Sequence, residues 1–178
     1  MIPSVSSTTL DRLPPHSEQA EQGVLGCILL DPNQCMLDVS QKFVLGGKEF
    51  YDLRHQTIYL TLADMWDRRE PIDLITVQGE LKAKNMLENV GGITYLSELQ
   101  DKVPSAANLP AYLDEVSKKA ELRELIQTCG DLSNQAQDAK EVDELVSEAE
   151  RRILEIRQKR ETGRGETDIA SIINQMAC

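Results

Sequence analysis

Apolar residues recur every three or four positions along two long stretches in the second half of the chain, and this spacing constrains the fold more than any other feature. The first stretch follows Asn108, a suitable N-cap, and contains Leu109, Leu113, Val116, Ala120, Leu122, Leu125, Ile126, Cys129 and Leu132. The second, over about residues 141–161, contains Val142, Leu145, Val146, Ala149, Ile153 and Ile156. Such a period marks one face of an α-helix. Two helices joined near residues 138–140 predict an antiparallel hairpin.

The apolar positions of the second helix are too many for one partner helix to cover. Val142, Leu145, Ala149 and Ile156 form the expected contact with the first helix, and Val146 and Ile153 lie beside them. Apolar positions outside the contact between two paired helices leave a surface for a further chain. We therefore predict that these six residues mediate self-association.

Shorter helical patterns, separated by glycine and proline, fill the first half of the chain. The predicted N-caps are Ser17, Asp31, Asp52 and Asp73, and a fifth helix follows Gly91 and Gly92, with Ile93, Leu96 and Leu99 inward. At Asp31, Pro32 and Gln34 complete the pattern of a capping box. Aromatic residues make up only 4% of the sequence, a composition typical of helices packed on helices. The predicted fold class is all-α.

The predicted organisation is a compact helical head followed by a long hairpin and a short linker helix. We assign residues 1–13 to a disordered arm, 14–104 to the head, 105–161 to the hairpin, 162–167 to a flexible linker and 168–178 to the linker helix. The last segment is too short to be stable alone, but its apolar residues share one face and favour docking on a partner; a disordered tail is the alternative. These residues are Ile169, Ile172, Ile173 and Met176.

The charge balance excludes several classes of partner. The chain carries 30 acidic and 19 basic residues, a net charge of −11, which opposes strong autonomous binding to a phosphate backbone. The bases Arg157, Lys159 and Arg160 suit the end of a helix dipole better than a DNA-binding stripe. No apolar run approaches the ~20 residues needed to cross a bilayer, and no secretory signal is evident. We expect a cytoplasmic protein without a membrane partner.

The sequence offers little catalytic chemistry. Gly47 and Lys48 do not form a phosphate-binding loop, because the required first glycine and the final hydroxyl are both missing. The four cysteines lack zinc-ligand spacing and are predicted to be reduced and mostly buried. His55 follows Asp52 by one helical turn, which fits either a catalytic pair or a capped helix with a packed histidine; we favour the second. No catalytic, cofactor-binding or metal-binding residue is predicted.

Four blocks of sequence between Pro14 and Leu125 resemble the N-terminal domain and linker of bacterial DnaB-family replicative DNA helicases. They follow one another in the same order as in that family. The blocks are PHSEQAEQGVLG from Pro15 with Leu29-Leu30-Asp31; Phe50-Tyr51 with His55 and Ile58; Pro71-Ile72-Asp73-Leu74-Ile75-Thr76; and Gly91-Gly92, Tyr95-Leu96, Leu99 and Pro104-Ser105-Ala106-Ala107-Asn108. Two positions depart from the family pattern. Gln19 stands where glutamate is usual, and Gly23 replaces alanine or a small polar residue.

The resemblance implies a role in DNA replication within the primosome. In this family the heads and hairpins pair, the dimers assemble into the collar of a hexameric ring, and the collar receives primase. The short linker helix docks on the motor domain of a neighbouring subunit. Full-length members are ATP-dependent DNA helicases, but the family's RecA-like motor, with its ATP and Mg²⁺, would follow Cys178. We therefore expect no cofactor and no catalytic activity for this chain alone.

Three functional hypotheses follow. The leading one is the N-terminal collar domain of a replicative helicase. The second is a free-standing adaptor that binds or inhibits a host helicase, and the reading frame beyond codon 178 distinguishes it from the first. The third is a small hydrolase built on Asp52 and His55, which an activity screen with His55→Ala as control would test.

Overall fold

In the computed structural model, residues 12–138 and 141–176 are described, with side chains through Lys159, and every regular element within these ranges is helical. The all-α prediction is confirmed. The helices are α1 (Glu18–Leu30), α2 (Pro32–Lys42), α3 (Leu53–Asp67), α4 (Leu74–Ala83), α5 (Gly92–Asp101), α6 (Leu109–Asp138) and α7 (Val142–Met176), with 3-10 turns at Glu88–Val90 and Ala106–Asn108. The predicted disordered arm lies almost wholly outside the described residues.

The first four helices begin where the sequence predicts. Each is preceded by a side chain that accepts a hydrogen bond from a backbone N–H of its first turn: Ser17, Asp31, Asp52 and Asp73. The predicted capping box at Asp31 forms only in part, because the Asp31 backbone N–H donates to the carbonyl of Cys27 at 2.9 Å instead of to Gln34. A complete box forms at Asp73, whose backbone N–H donates to Thr76 Oγ1 at 2.9 Å.

Helix α1 lies at the centre of the head. All ten residues from Ala20 to Leu29 are buried, and the helix contacts α2, α3, α5 and α6. Two glycines allow this close packing: a Cβ on Gly26 would lie 2.3 Å from the carbonyl oxygen of Leu99, and one on Gly23 would lie 2.7 Å from the ring of Tyr112. The departure from the family pattern at Gly23 thus makes room for an aromatic ring on α6.

Packing against the head extends beyond the boundary predicted at residue 104, into the first part of α6. Leu109, Leu113, Val116 and Ala120 are buried, and none of the described residues of α6 beyond Ala120 is. The spacing after Asp52 predicts an inner face on α3 made of His55, Ile58, Tyr59, Leu62 and either Met65 or Trp66. The structure confirms it, with Met65 buried together with the first four. The prediction is wrong for one inward position on α5, because Ile93, in the first turn, is 38% exposed.

Helix α7 continues to Met176, whereas the sequence predicts a flexible break at residues 162–167. A glycine inside a helix costs only about 1 kcal/mol relative to alanine. Extending an existing helix also avoids the cost of nucleation, so Gly163 and Gly165 do not end it. The side chains of Ile169, Ile172, Ile173 and Met176 lie outside the described residues, and the docking face remains a prediction. Within the described ranges, no helix combines the length and apolar character needed to span a membrane.

Candidate functional site

The hairpin formed by α6 and α7 is the most exposed part of the described structure. Lys159 Nζ lies 2.5 Å from Glu124 Oε1, and Arg152 Nη1 lies 3.9 Å from Asp131 Oδ2. Residues further along α7 therefore face residues earlier in α6, as the predicted antiparallel arrangement requires. Asp138, the last residue of α6, and Val142, the first of α7, mark the tip that is distant from the head.

The six predicted association residues divide into two groups. Leu145, Ala149 and Ile156 are half-buried between the helices, whereas Val146 and Ile153 are 51% and 50% exposed, beside that contact as expected. Val142 departs from the prediction. It is 71% exposed, because it begins α7 at the level where α6 has already ended.

Four further apolar residues of the hairpin are exposed, although the sequence pattern did not predict them to lie at the surface. They are Leu122, Leu125 and Ile126 on α6 and Leu154 on α7, with exposures between 38% and 58%. The signal was present as an excess of apolar positions, since one partner helix cannot cover two sides of another. We call Leu122, Leu125, Ile126, Val146, Ile153 and Leu154 the exposed apolar set of the hairpin. Large apolar side chains exposed on both helices make this part of the hairpin a candidate interaction surface.

Charge is distributed unevenly along the hairpin. The tip is acidic, and Lys140 is the one base in the sequence between residues 127 and 150; its acids are Asp131, Asp138, Glu141, Asp143, Glu144, Glu148 and Glu150. Hydrogen bonds from Arg151 and Arg152 lower the pKa of Glu148 to about 2, so this acid stays ionised. Nearer the head, bases outnumber acids; they include Lys118, Lys119, Arg123, Arg151, Arg152, Arg157 and Lys159.

The head contains a buried polar network centred on His55, which is fully buried. Its Nδ1 lies 2.7 Å from Glu21 Oε2, and its Nε2 lies 2.7 Å from the hydroxyl of Tyr95. Gln22 Nε2 donates to the same hydroxyl at 3.3 Å. All groups are satisfied if Tyr95 donates its proton to Nε2 and Nδ1–H donates to Glu21.

The partner of His55 is thus Glu21. The hydrolase hypothesis requires Asp52 in that place. Asp52 caps α3 and binds the guanidinium of Arg54 at 2.6 Å. Glu21 also accepts the backbone N–H groups of Tyr51 at 2.7 Å and of Asp52 at 3.2 Å. The network therefore ties the start of α3 to α1, and both ring nitrogens of His55 are occupied inside the core. This geometry gives the hydrolase hypothesis no support.

Sequence reasoning missed the central member of this network. The sequence places Glu21 in the first turn of α1, where acids favour the helix dipole, but the structure buries its side chain, which is only 2% exposed. Its distinguishing signal is weak: an acid one turn before Val24 and Leu25, in a helix with no polar face. Among the described residues, no group of His, Cys, Asp and Glu is arranged to hold a metal ion.

Comparison with known proteins gives consistent matches over this architecture. Residues 13–118 match the family described as the DnaB-like helicase N terminal domain. The replicative DNA helicase DnaB of Geobacillus stearothermophilus is 42% identical over 154 residues, 86% of this chain and 33% of the relative. The replicative DNA helicase DnaC of Bacillus subtilis is 42% identical over 153 residues, 85% and 33% of the two chains. The chain therefore spans about a third of the length of these relatives.

Two solved structures share the fold. The N-terminal domain of DnaB helicase from Mycobacterium tuberculosis superposes with a TM-score of 0.73 at 35% identity, covering 81% of this chain and 99% of that one. A DnaB-like replicative helicase, solved in a study of its interactions with primase, gives a TM-score of 0.64 at 26% identity over 79% and 31% of the chains. With the helical head, the hairpin and the family match in agreement, this chain belongs to the DnaB-like helicase N-terminal domain family.

Proposed function

We propose that the chain forms the collar of a replicative DNA helicase by pairing its hairpin with that of a second copy. The observation that supports this proposal is the exposed apolar set. Its residues lie on both hairpin helices and are not buried by any other described part of the chain. Residues of this kind contribute most when buried, at about 25 cal/mol per Å² of apolar surface removed from water. Pairing of two hairpins would bury them without disturbing the head.

The charge distribution favours one orientation of the pair. If two hairpins lie antiparallel, the acidic tip of each faces the basic, head-proximal half of the other. A parallel pair would place tip against tip, where like charges repel. The antiparallel pair also puts the two heads at opposite ends, where each is free to contact a further dimer. This arrangement is consistent with assembly of dimers into a hexameric ring, as in the helicase family that the chain resembles.

The test is the oligomeric mass of the full chain after a charge is placed in the exposed apolar set. Val146→Asp with Ile153→Asp should reduce the mass measured by light scattering to that of the monomer, because buried charges cost several kcal/mol. Ser133→Asp with Ser147→Asp adds the same charge at exposed polar positions of the hairpin and should leave the mass unchanged. Unaltered mass in the Val146 and Ile153 variant, with helicity intact by circular dichroism, would place the interface elsewhere.

The collar would act in the cytoplasm as the receiver of primase. This part of the proposal rests on the family and on the related helicase whose solved structure concerns its interactions with primase. The helicase-interacting domain of the cognate primase should bind the assembled collar with a dissociation constant in the range of tens of micromolar or tighter. The monomeric Val146 and Ile153 variant should bind more weakly if the site spans two hairpins. Absence of binding to the wild-type collar would refute the primase role.

Residues 168–178 would dock on the motor domain of a neighbouring subunit, which also supplies ATP and Mg²⁺ binding. The sequence places Ile169, Ile172, Ile173 and Met176 at the spacing of one helical face, which suits a hydrophobic groove. Amide exchange over these residues should slow when a separately expressed motor domain is added. Equal exchange with and without the motor would show that this segment is not the docking helix.

A further inference from the structure

The hairpin joins the head through one continuous helix. Helix α6 is buried against the head as far as Ala120 and then extends to Asp138 with no fully buried residue among those described. Helix α7 follows α6 in the chain, returns alongside it and also lies against α2 of the head. The direction of the whole hairpin therefore depends on that contact and on what restrains α6 just beyond Ala120.

Arg123 provides that restraint, one turn beyond the last buried residue of α6. Its Nη1 donates to the carbonyl oxygen of Pro15 at 2.7 Å, and its Nη2 donates to that of Glu49 at 2.5 Å. The guanidinium also lies 5.7 Å from the ring centroid of Tyr51, which stacks on His16 at 4.4 Å. One side chain of the hairpin thus binds two separate segments of the head.

Of the two head segments that bind Arg123, one is the loop at residues 44–49, which we call the joint loop. Its own hydrogen bonds hold it in a fixed shape. The buried carboxylate of Glu49 accepts the backbone N–H groups of Leu45 at 2.6 Å and of Gly47 at 3.0 Å. Gly46 and Gly47 adopt φ values of +63° and +91°, which glycine tolerates without strain. The loop holds its own shape and presents the carbonyl of Glu49 to Arg123.

Packing beside this anchor is looser than in the core of the head. A cleft of about 130 Å³ separates the joint loop from α6 and α7, with Val44, Leu45, Ala120 and Ile156 among its lining residues. Ser117 also lines it, and the buried Ser117 Oγ has no hydrogen-bond partner among the described residues. Unfilled volume of this kind allows small shifts that a close-packed core resists.

We propose that Arg123 is a positioning residue that sets the angle between the head and the hairpin, and that the hairpin pivots at the joint loop when this anchor is released. Asp138, the last residue of α6, lies 15 residues beyond Arg123, which makes a lever of about 22 Å at 1.5 Å per residue. A bend of about 10° at the joint would move the tip by about 4 Å. The positions of the heads in any assembly of hairpins would follow from this angle.

The experiment measures the distance between head and tip in the full chain by paired spin labels. Ile75→Cys, at an 80% exposed position on α4, and Gln137→Cys, near the tip, carry the labels, in a background of Cys129→Ser and Cys178→Ser. Labelled chains are mixed with an excess of unlabelled chain, so that distances within one chain dominate. We expect a narrow distribution for the parent and a distribution broadened or shifted by about 4 Å for Arg123→Ala.

Two further variants make the outcome decisive. Lys119→Ala, one turn earlier on α6, removes a cation paired only within its own helix in the described structure, with Glu115 at 3.3 Å, and should leave the distribution narrow. Arg123→Lys keeps a charge but loses the planar fork and should broaden it partially. An unchanged distribution in folded Arg123→Ala or, if that variant does not fold, in Arg123→Lys overturns the proposal. Loss of amide protection in α3 in both variants would overturn it too, by assigning Arg123 to the fold of the head.

Discussion

The head and the hairpin use the same kind of helix in opposite ways. In the head, α1 is buried along ten consecutive residues, glycines admit neighbouring backbones, and the carboxylate of Glu21 is enclosed with its hydrogen bonds satisfied. In the hairpin, none of the residues of α7 through Lys159 is fully buried, and apolar side chains remain exposed on both helices. The head is stabilised by contacts within one chain, whereas the hairpin keeps apolar side chains exposed, as the proposed pairing with a second copy requires. Under that proposal, stability and assembly belong to different parts of the molecule.

The largest expected effect lies in the polar network of the head. His55→Ala removes one donor to the buried carboxylate of Glu21, removes the acceptor of the Tyr95 hydroxyl and opens a cavity in the core. Together these losses should cost about 3 kcal/mol or more. His16→Ala removes a stacked histidine at the surface and should cost less than about 1 kcal/mol. Urea unfolding at one fixed protein concentration measures both. Equal midpoints for the two variants would show that the buried network contributes no more than a surface contact, which would contradict the closed head.

Packing around α1 gives the next largest effect. Gly26→Ala places a Cβ 2.3 Å from the carbonyl oxygen of Leu99, and the resulting overpacking should destabilise the head by about 2 kcal/mol. Gly79→Ala is the matched control, because no atom lies within 4 Å of that position on α4. Its higher helix propensity should stabilise the protein by up to about 1 kcal/mol. The same urea titration should therefore show shifts of opposite sign.

The hairpin should respond to stabilisation independently of the head. Gly130 lies inside α6, and a Cβ added there would meet no atom within 4 Å, so Gly130→Ala should favour the helix by about 1 kcal/mol. Native-state amide exchange should slow in the hairpin and stay unchanged in α3, because the two regions open separately. An equal decrease in the rate of amide exchange in α3 would show that head and hairpin unfold as one unit.

The smallest effect concerns thiol reactivity, which reports on burial without changing stability. Burial raises the pKa of Cys27 to about 11 and that of Cys35 to about 12, whereas Cys129 on the hairpin is exposed. In a Cys178→Ser background at pH 8, a thiol reagent should modify Cys129 quickly and the other two only as the head opens. Rapid modification of all three would contradict the closed core of the head.

The sequence predicts best what depends on local chemistry. The caps at Ser17, Asp31, Asp52 and Asp73 are visible because one side chain and one backbone N–H decide each of them. Helical periodicity likewise predicts the buried face of α3. The four sequence blocks identify the family, which single-helix patterns do not.

Features that depend on distant contacts could not be predicted in this way. The partner of His55 is Glu21, 34 positions away, and the sequence offered Asp52 because it was closer. Arg123 binds carbonyl oxygens of Pro15 and Glu49, and backbone acceptors leave no mark in a sequence. The exposure of Val142 depends on where α6 ends, which periodicity does not specify.

The burial of α1 on every side has a consequence for synthesis of the protein on the ribosome. Val24 and Ile28 are fully buried, but the covering residues of α6 extend to Ala120, roughly 90 residues later in the chain. At about 5–20 residues per second, several seconds pass between the emergence of α1 and the arrival of its last cover. During that interval the most apolar helix of the head is exposed to chaperones and to other nascent chains.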